Sequence, residues 1–331
     1  MPRILIFAGA LLFCAAAQSQ SLRYNRWLPV GHHLEQNVLI PWMAKVAEVT
    51  QGRVRIEPTT SSLGPPLKQY DLAATGIADV IFTSESYTPA LFPLAEIMGL
   101  PFVGTDVEKL AVAYWQVYEK HFAQVKPYPR VVPMGLTGFP IYQIYNLKRE
   151  MATPDQARGL KIVTTGGQFR TELLKSLGFT VLSAGLPQVV EMLSTGVADG
   201  TYLTDDAVKS FGVIKVVKHR TEFPGGLGSL SGCVLMNEAK WNSLSGQDRA
   251  AIAAISGPLL SRQMGLSLKN ADNQAKAEIE KAGVKTVVAD ARFLSLAKQA
   301  AAPLDEQWIK MAKEKGVDGS AALTMLRDLA R

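Results

Sequence analysis

Hydrophobic positions in the first quarter of the chain switch between strand and helix spacing. Residues 22–28 predict a strand, and apolar side chains then recur at helical spacing through Leu34, Val38, Trp42, Val46 and Val49. Pro41 inside this helix predicts a kink or a late start. Residues 53–57 and 79–83 predict two more strands, with a short helix between them. Alternating strands and helices indicate an α/β fold with parallel strand pairing.

A six-residue segment occurs twice. Residues 74–79 read Ala-Thr-Gly-Ile-Ala-Asp, and residues 194–199 read Ser-Thr-Gly-Val-Ala-Asp. In both copies the glycine can take a positive φ that ends a helix before the next strand begins. Strand and helix patterns also surround the second copy, over residues 160–182. The repeat predicts two similarly built α/β lobes.

A long amphipathic pattern follows the second lobe. Ser245 is a candidate N-cap with Asp248 three residues later, and the pattern continues to Gly283. A helix over about 246–282 would be roughly 50 Å long, so it must cross both lobes or break at Gly257-Pro258. A coiled-coil dimer is the alternative, but the pattern has no sustained heptad. Residues 286–331 predict a short strand and two or three outer helices.

Composition is that of a globular protein with large cores. The 331 residues are 47% hydrophobic and 19% charged, which excludes a disordered or collagen-like chain. The net charge of +6 forms no block along the chain, so it permits an anionic ligand without indicating nucleic acid.

The N-terminus has the pattern of a signal peptide. Arg3 precedes an apolar run over residues 4–12, and Ala15-Ala16-Ala17 fits a cleavage site. We therefore expect residues 1–17 to be removed and the protein to be exported to the periplasm. Cys233 is then the one remaining cysteine; it excludes an intrachain disulfide, and its apolar neighbours predict a buried, inert thiol.

Known catalytic and cofactor motifs are absent from the sequence. There is no Walker loop, no nucleophile elbow and no Cys-x-x-Cys pair, and Gly226-Leu227-Gly228 lacks the frame of a dinucleotide site. His32, His33 and Glu35 are possible metal ligands by residue type, but adjacent loop residues are expected to point in different directions. We predict no metal, no cofactor and no enzyme activity. Asp205-Asp206 is expected to be a solvated or capping pair.

The predicted strand ends point to a binding site for a small organic molecule. They fall at residues 27–33, 83–87, 164–168 and 202–205, and carry aromatic rings, hydroxyls and free amides. In open α/β sheets, ligands bind beyond such ends, where helix N-termini offer N–H donors. This mixture suits a small organic ligand better than a metal or a phosphate.

Several short motifs occur in order along the mature chain: Thr50-Gln51-Gly52-Arg53, Ser61-Ser62-Leu63-Gly64, Gly76-Ile77-Ala78-Asp79, Gly99-Leu100-Pro101-Phe102, Gly159-Leu160-Lys161-Ile162, Leu177-Gly178, Gly196-Val197-Ala198-Asp199-Gly200 and Asn237 through Trp241 to Leu244. Together they resemble the motifs of the solute-binding subunits of TRAP (tripartite ATP-independent periplasmic) transporters. The resemblance implies a two-lobed α/β fold of the periplasmic binding protein type (type II-like), with a hinge, crossing strands and a long bridging helix. It also implies closure around an organic acid and delivery to a small and a large multi-span membrane subunit that use an ion gradient.

On this basis we assign residues 18–137 and 226–260 to lobe I. Residues 138–225 and 261–331 form lobe II, with the bridging helix at about 246–282. We expect a monomer, as suits a protein that shuttles its ligand.

The chain departs from the family where the ligand carboxylate is bound. Family members place an arginine at the position of Val163, often a basic residue near Pro140 to Tyr142, and often an asparagine at the position of Leu203. These replacements predict a more apolar pocket, suited to a monocarboxylate with an apolar or aromatic body. Arg170 is the candidate replacement for the missing arginine, with a solvated helix residue as the alternative reading. The predicted ligand-binding residues are Trp27, His33, Ser84, Tyr87, Tyr142, Val163, Thr165, Arg170, Tyr202 and Leu203.

Two alternatives to transport remain open at this point. The protein could present its ligand to a sensor or to another transporter, which would keep the fold and the site. It could also be a periplasmic enzyme with His33 or Asp205 as the base.

Overall fold

The computed structural model describes residues 19–331, so the predicted signal peptide lies outside the described residues. Its strands are β1 (Gln20–Tyr24), β2 (Val54–Pro58), β3 (Val80–Thr83), β4 (Val131–Gly138), β5 (Gln143–Asn146), β6 (Lys161–Thr164), β7 (Thr180–Ser183), β8 (Gly200–Leu203), β9 (His219–Glu222), β10 (Ser231–Asn237) and β11 (Lys285–Val288). The α-helices are α1 (Ile40–Val49), α2 (Gln69–Ala74), α3 (Val107–Val117), α4 (Pro154–Ala157), α5 (Gln168–Ser176), α6 (Val189–Ser194), α7 (Asp205–Ser210), α8 (Glu238–Ser243), α9 (Gly246–Ala254), α10 (Pro258–Lys281), α11 (Ala291–Glu314) and α12 (Gly319–Leu329).

The strands form two mixed sheets, which confirms the predicted α/β class. The first sheet has the order β2-β1-β3-β10-β4, and the second has the order β11-β9-β5-β8-β6-β7. The pairs β1–β2, β1–β3, β6–β7 and β6–β8 are parallel, as the alternation of strands and helices predicts. Strand β10 is antiparallel to β3 and β4, and β5 is antiparallel to β8 and β9. Parallel pairing therefore describes only part of each sheet.

Two connections cross between the sheets. Residues 139–142 join β4 to β5, and residues 223–230 join β9 to β10. The two connections are hydrogen-bonded to each other, because the Phe139 N–H donates to the Leu230 carbonyl (2.8 Å) and the Tyr142 N–H donates to the Gly228 carbonyl (3.1 Å). The Gly226-Leu227-Gly228 segment thus belongs to a crossing connection.

The repeated segment forms the same turn in each sheet. Gly76 and Gly196 both have a φ of 75°, which lets the chain leave a helix and enter a strand. Asp79 and Asp199 then bind matching backbone N–H groups: the Arg23 N–H donates to Asp79 (2.8 Å), and the Lys161 N–H donates to Asp199 (2.9 Å). Each aspartate thereby ties its turn to the neighbouring parallel strand. The two sheets share this local construction, as the repeat predicts.

The long helix predicted over about 246–282 is broken, which is one of the two outcomes allowed by the sequence. Helix α9 ends at Ala254, and α10 begins at Pro258. Between them Gly257 has a φ of 60°, and a Cβ there would lie 2.9 Å from the Trp115 ring. Glycine is therefore required at the break. The remaining 24 residues of α10 contact α3 and β4 on one side and α7 on the other, so the helix still bridges the two sheets.

Two other predicted elements begin or end at different residues in the structure. The first strand ends at Tyr24, because the Asn25 side chain turns away to bond Gln69 (2.6 Å) and the Leu63 N–H (2.8 Å). The helix after it begins with a π-helical turn and becomes α-helical only at Ile40, next to Pro41.

Cys233 is buried in β10, as predicted, and burial raises the pKa of its thiol well above the usual range. Among the described residues no helix combines the length and the apolar character that crossing a membrane requires.

Candidate functional site

The two crossing connections and the C-terminal ends of β3, β6 and β8 surround the guanidinium of Arg170. Arg170 lies in the first turn of α5, and only 2% of its surface is exposed. Its Nε–H and one Nη2–H donate to the Gly166 carbonyl (2.9 and 2.6 Å), and Nη1 donates to the Ser229 carbonyl (3.4 Å). The reading of Arg170 as a solvated helix residue is therefore wrong.

Arg170 forms no salt bridge among residues 19–331: its bonded partners are backbone carbonyls, and the buried carboxyl of Glu96 is near it without a direct contact. A guanidinium has five N–H donors, and three of them are used here, which leaves one on each Nη nitrogen. A buried charge without a counter-charge is costly. The site is therefore built to accept an anion, and a planar guanidinium with two free N–H groups suits a carboxylate.

Glycine makes this position of Arg170 possible. Gly166 and Gly167 have φ values of 96° and 92°, in the left-handed region. A Cβ on Gly167 would lie 2.6 Å from the Nη2 nitrogen of Arg170. Only glycine lets the guanidinium pack against the backbone at this point.

Two buried tyrosines lie next to the guanidinium. The Arg170 Cζ atom is 5.5 Å from the centre of the Tyr142 ring, a cation–π distance. The Tyr142 and Tyr202 ring centres are 4.9 Å apart at 43°, and the Tyr202 hydroxyl donates to the Leu227 carbonyl (2.8 Å). Burial raises the pKa of both phenols, and the charge of Arg170 lowers them. Both rings are consequently neutral and present apolar faces.

Tyr87 and Thr165 belong to the same group. Burial and the neighbouring Tyr142 raise the pKa of Tyr87, and Arg170 lowers it, for a net value of about 12. These effects place the three side chains near one another. Thr165 is near enough to the Tyr142 phenol to lower its pKa. The structure therefore brings five of the predicted residues together, from four separate parts of the chain.

A second aromatic cluster lies on the first sheet. The half-buried ring of Trp27 is stacked on Phe82, with centres 6.4 Å apart and planes at 11°, and its Nε1–H donates to the Phe82 carbonyl (2.7 Å). Phe82 in turn contacts Phe139, whose ring centre is also 6.4 Å away. Phe139 lies in the crossing connection, so this cluster reaches the boundary between the sheets.

Three predicted residues are buried within or at the end of strands. Val163 in β6 and Leu203 in β8 are 0% and 1% exposed and belong to the hydrophobic core. Ser84, directly after β3, is also buried, and its hydroxyl has no hydrogen-bond partner among the described residues. An unpartnered hydroxyl at a strand end is available to a ligand.

His33 lies apart from the Arg170 group, at a contact between elements of the two sheets. Its Nδ1 atom is 3.0 Å from the Ser267 hydroxyl, and its Nε2 atom is 3.4 Å from a carboxylate oxygen of Asp206. Burial raises the pKa of Asp206, but the bond to His33 and the charge of that ring lower it more, so the net shift is downward. Asp206 is accordingly an anion facing His33.

Asp205 and Asp206 are not the solvated or capping pair that the sequence predicts, and the N-cap of α7 is Thr204. Asp205 is 2% exposed and forms a two-bond ion pair with Arg220, with N–O distances of 3.0 and 2.8 Å. The Tyr145 hydroxyl also donates to Asp205. The Asp205 carboxylate therefore accepts three hydrogen bonds that hold α7 to the second sheet, and its charge is paired with Arg220.

Sequence reasoning missed two residues next to Arg170. Glu96 lies in the 3-10 segment Pro93–Gly99, and one of its carboxyl oxygens is buried without a partner among the described residues. Burial raises the pKa of Glu96, while Arg170 and a bond from Ser86 lower it. Ser229 supplies a carbonyl to Arg170. Neither belongs to a recognisable motif; the glycines around Ser229 were the one available signal.

The comparisons with known proteins concern the family and the fold. The model of the family described as bacterial extracellular solute-binding protein, family 7, matches residues 27–312. The protein named outer membrane transporter protein TsaT, from Comamonas testosteroni, is 28% identical over 321 residues, which cover 96% of this chain and 94% of that protein.

Two solved structures show the same fold. A TRAP periplasmic solute-binding protein from Bordetella bronchiseptica, with bound (R)- and (S)-mandelate, has a TM-score of 0.87 and 29% identity, covering 94% of this chain and 98% of that one. A marine metagenome TRAP solute-binding protein from an unidentified microbe, described as specific for aromatic acids and solved with metahydroxyphenylacetate, has a TM-score of 0.84 and 25% identity, with coverage of 94% and 98%.

Proposed function

Because the chain belongs to family 7 of the bacterial extracellular solute-binding proteins, as a TRAP solute-binding protein, we propose that its cargo is a small aromatic monocarboxylate. The acid binds between the two sheets with its carboxylate on Arg170 and its ring among the aromatic side chains. Closure of the two lobes encloses it, and the complex delivers it to the membrane subunits with which such proteins work.

The buried guanidinium of Arg170, which forms no salt bridge among the described residues, is the observation that carries this proposal. It lies where residues from both sheets and both crossing connections meet, with one free N–H on each Nη nitrogen. A ligand carboxylate would supply the missing charge and accept both free hydrogen bonds. Arg170 then does the work of the arginine that the family places at the position of Val163.

The apolar character of the surroundings supports an aromatic ligand. Tyr142 and Tyr202 flank the guanidinium, and Val163 and Leu203 replace polar family residues. A dicarboxylate or a sugar acid would leave its second charge or its hydroxyls unpaired against such side chains. The Bordetella bronchiseptica protein, which is the more similar of the two solved structures, holds mandelate, an acid of the proposed kind.

The lobe division proposed from the sequence is supported by the crossing connections. Lobe I (18–137 and 226–260) contains the whole first sheet except Gly138, and lobe II (138–225 and 261–331) contains the second. Residues 139–142 and 223–230 are the natural hinge, because they are the short segments between the sheets. Bending there would open the space around Arg170.

The positions of the two candidate bases, Asp205 and His33, favour a receptor over an enzyme. Asp205 is held in a two-bond ion pair with Arg220, and His33 lies outside the Arg170 group. Neither is available to take a proton from a molecule bound at Arg170.

A thermal-shift screen with matched ligands tests the proposal. Mandelate, benzoate and phenylacetate are compared with benzylamine and benzyl alcohol, which keep the ring but lack the carboxylate, and with d-glucuronate, which keeps the carboxylate but lacks the ring. An aromatic acid at 100 times its Kd should stabilise the protein by about 2.7 kcal/mol. Stabilisation by benzylamine or benzyl alcohol but by none of the acids would refute the carboxylate assignment, and stabilisation by glucuronate alone would refute the aromatic one.

Native mass spectrometry of the purified protein provides an independent test. A retained aromatic acid of unchanged mass supports a receptor, whereas a converted product indicates an enzyme.

A further inference from the structure

Two histidines and an aspartate meet at the boundary between the two halves. His32 and His33 precede the π-helical turn on the first sheet, and Asp206 lies in the first turn of α7 on the second sheet. Each side chain offers one atom that could bind a metal, and these three atoms lie within 4.8 Å of one another. All three side chains are half-buried. The sequence could not show this group, since the third member is more than 170 positions away.

Hydrogen bonds hold two of these side chains in a fixed orientation. The Nδ1 atom of His33 is bonded to Ser267 on α10 (3.0 Å), which turns its Nε2 atom toward Asp206. The Ser210 hydroxyl donates to the other oxygen of Asp206 (3.1 Å). Outer hydrogen bonds of this kind orient the ligands in many protein metal sites.

His32 is the more adaptable member. Its ring is stacked on His33, with centres 4.5 Å apart and planes at 26°, and its Nδ1 atom accepts a long bond from the Leu34 N–H (3.3 Å). A metal ion could replace that weak bond or bind the other ring nitrogen after a small rotation of the ring.

We infer that His32, His33 and Asp206 bind a divalent transition-metal ion that links the two halves of the molecule. Two imidazoles and one carboxylate suit Zn²⁺, Co²⁺ or Ni²⁺ better than Ca²⁺ or Mg²⁺, which prefer oxygen ligands. Water would complete the coordination, as three protein ligands leave at least one position open.

Metal binding at this place would favour the closed state. Zinc–nitrogen bonds of about 2.1 Å place ligand atoms roughly 3.3 Å apart in a tetrahedral site. Across the two halves, the His33 Nε2 atom is already 3.4 Å from the Asp206 carboxylate, close to that spacing. Because His32 and His33 belong to one half and Asp206 to the other, an ion bound to all three would hold the halves in the arrangement seen here. By linkage, the ion should then tighten binding of any ligand that also prefers the closed state.

The test is calorimetric titration of Zn²⁺ into chelator-treated protein from which any polyhistidine tag has been removed, with Co²⁺ absorption as a second readout. The wild type should bind one ion, and Co²⁺ should give the visible bands of a site with fewer than six ligands. His33→Gln and Asp206→Asn should each weaken binding at least 10-fold, and Ser267→Ala should weaken it about 10- to 100-fold through the orientation of His33.

His121→Gln is the matched control, because His121 lies on a distant helical segment, and it should leave the Zn²⁺ affinity unchanged. Circular dichroism melts establish that each variant is folded. If the wild type binds no ion, or if His121→Gln weakens binding as much as His33→Gln does, the site is refuted. If Asp206→Asn binds as tightly as the wild type, the ion does not link the two halves.

Discussion

At the scale of single residues, Arg170 combines a cost in stability with a gain in binding. Because Arg170 is buried without a salt bridge, replacement by an apolar side chain of similar length should remove a desolvation penalty from the ligand-free protein. Stability and binding should therefore respond in opposite directions to the same substitution.

Arg170→Met should weaken binding of an aromatic acid by about 30-fold or more, since removal of one partner of a buried charge pair costs about 2 kcal/mol or more. The free energy of unfolding of the ligand-free variant should be equal to or above that of the wild type. Calorimetric titration and urea unfolding measure the two quantities. Arg158→Met, at an exposed position of the same half, should change neither. Equal affinity of Arg170→Met and wild type would show that the carboxylate binds elsewhere.

Gly167→Ala provides a second test of the same site, because the added Cβ would lie 2.6 Å from the guanidinium. Gly159→Ala is its control: Gly159 also has a positive φ, of 77°, but has nothing within 4 Å of the added atom. Both variants should lose about 1 kcal/mol of stability from backbone strain. Only Gly167→Ala should also lose ligand affinity in a titration, and an equal loss in both variants would contradict the packing described here.

At the scale of elements, α9 is fastened to the first sheet by a charged contact. Asp248 in its first turn forms an ion pair with Arg53, with an N–O distance of 2.9 Å, and caps the helix together with Ser245. Burial raises the pKa of Asp248, but Arg53 and Ser245 outweigh it and lower the pKa below its usual value. An aspartate with a lowered pKa stabilises the fold above its unfolded pKa, and loses this effect as the pH falls through the folded value.

Asp248→Asn should accordingly reduce the free energy of unfolding by about 1 kcal/mol at pH 7, with the difference shrinking below about pH 4. Urea unfolding at a series of pH values measures this. Asp71→Asn, which removes an exposed pair with Lys68, should have little effect at any pH. A difference for Asp248→Asn that stays constant down to pH 2.5 would show that the ion pair is not its source.

The elements that the sequence predicts correctly are those set by local rules. Helical spacing, the glycine turns at Gly76 and Gly196, and the serine cap at Ser245 depend on neighbouring residues only. The break at Gly257 was one of two outcomes, and it is decided by the Trp115 ring from a distant helix. The antiparallel pairing of β10 is likewise long-range, so no periodicity within the strand could reveal it.

What the sequence predicts of the site is likewise limited to local information. Arg170 is a candidate because Val163 stands where family members place an arginine, and the sequence shows this directly. That its guanidinium is buried, and that Ser229 and Glu96 surround it, depends on how the two sheets meet. The contact of His33 with Asp206 joins positions far apart in the chain. The expectation that His32 and His33 point in different directions is wrong, because their rings are stacked.

At the scale of the whole molecule, the proposed function requires the two halves to move about the crossing connections. The proposed ligand and metal ion would both contact the two halves, so both should shift the population toward the closed state.

Small-angle X-ray scattering should show a decrease in the radius of gyration when an aromatic acid is added to the wild type, and no decrease for Arg170→Met. A compact, unchanged wild type that nevertheless binds the acid would show that capture does not require closure.

The most direct test of the central claim is a crystal structure of the protein with the aromatic acid that gives the largest thermal shift. The quantity to measure is the distance from the ligand carboxylate to the Nη nitrogens of Arg170. We predict two hydrogen bonds of about 2.7–2.9 Å, with the aromatic ring packed against Tyr142 or Tyr202. A carboxylate bound to another cation, or an acid bound outside the space between the two sheets, would contradict the account.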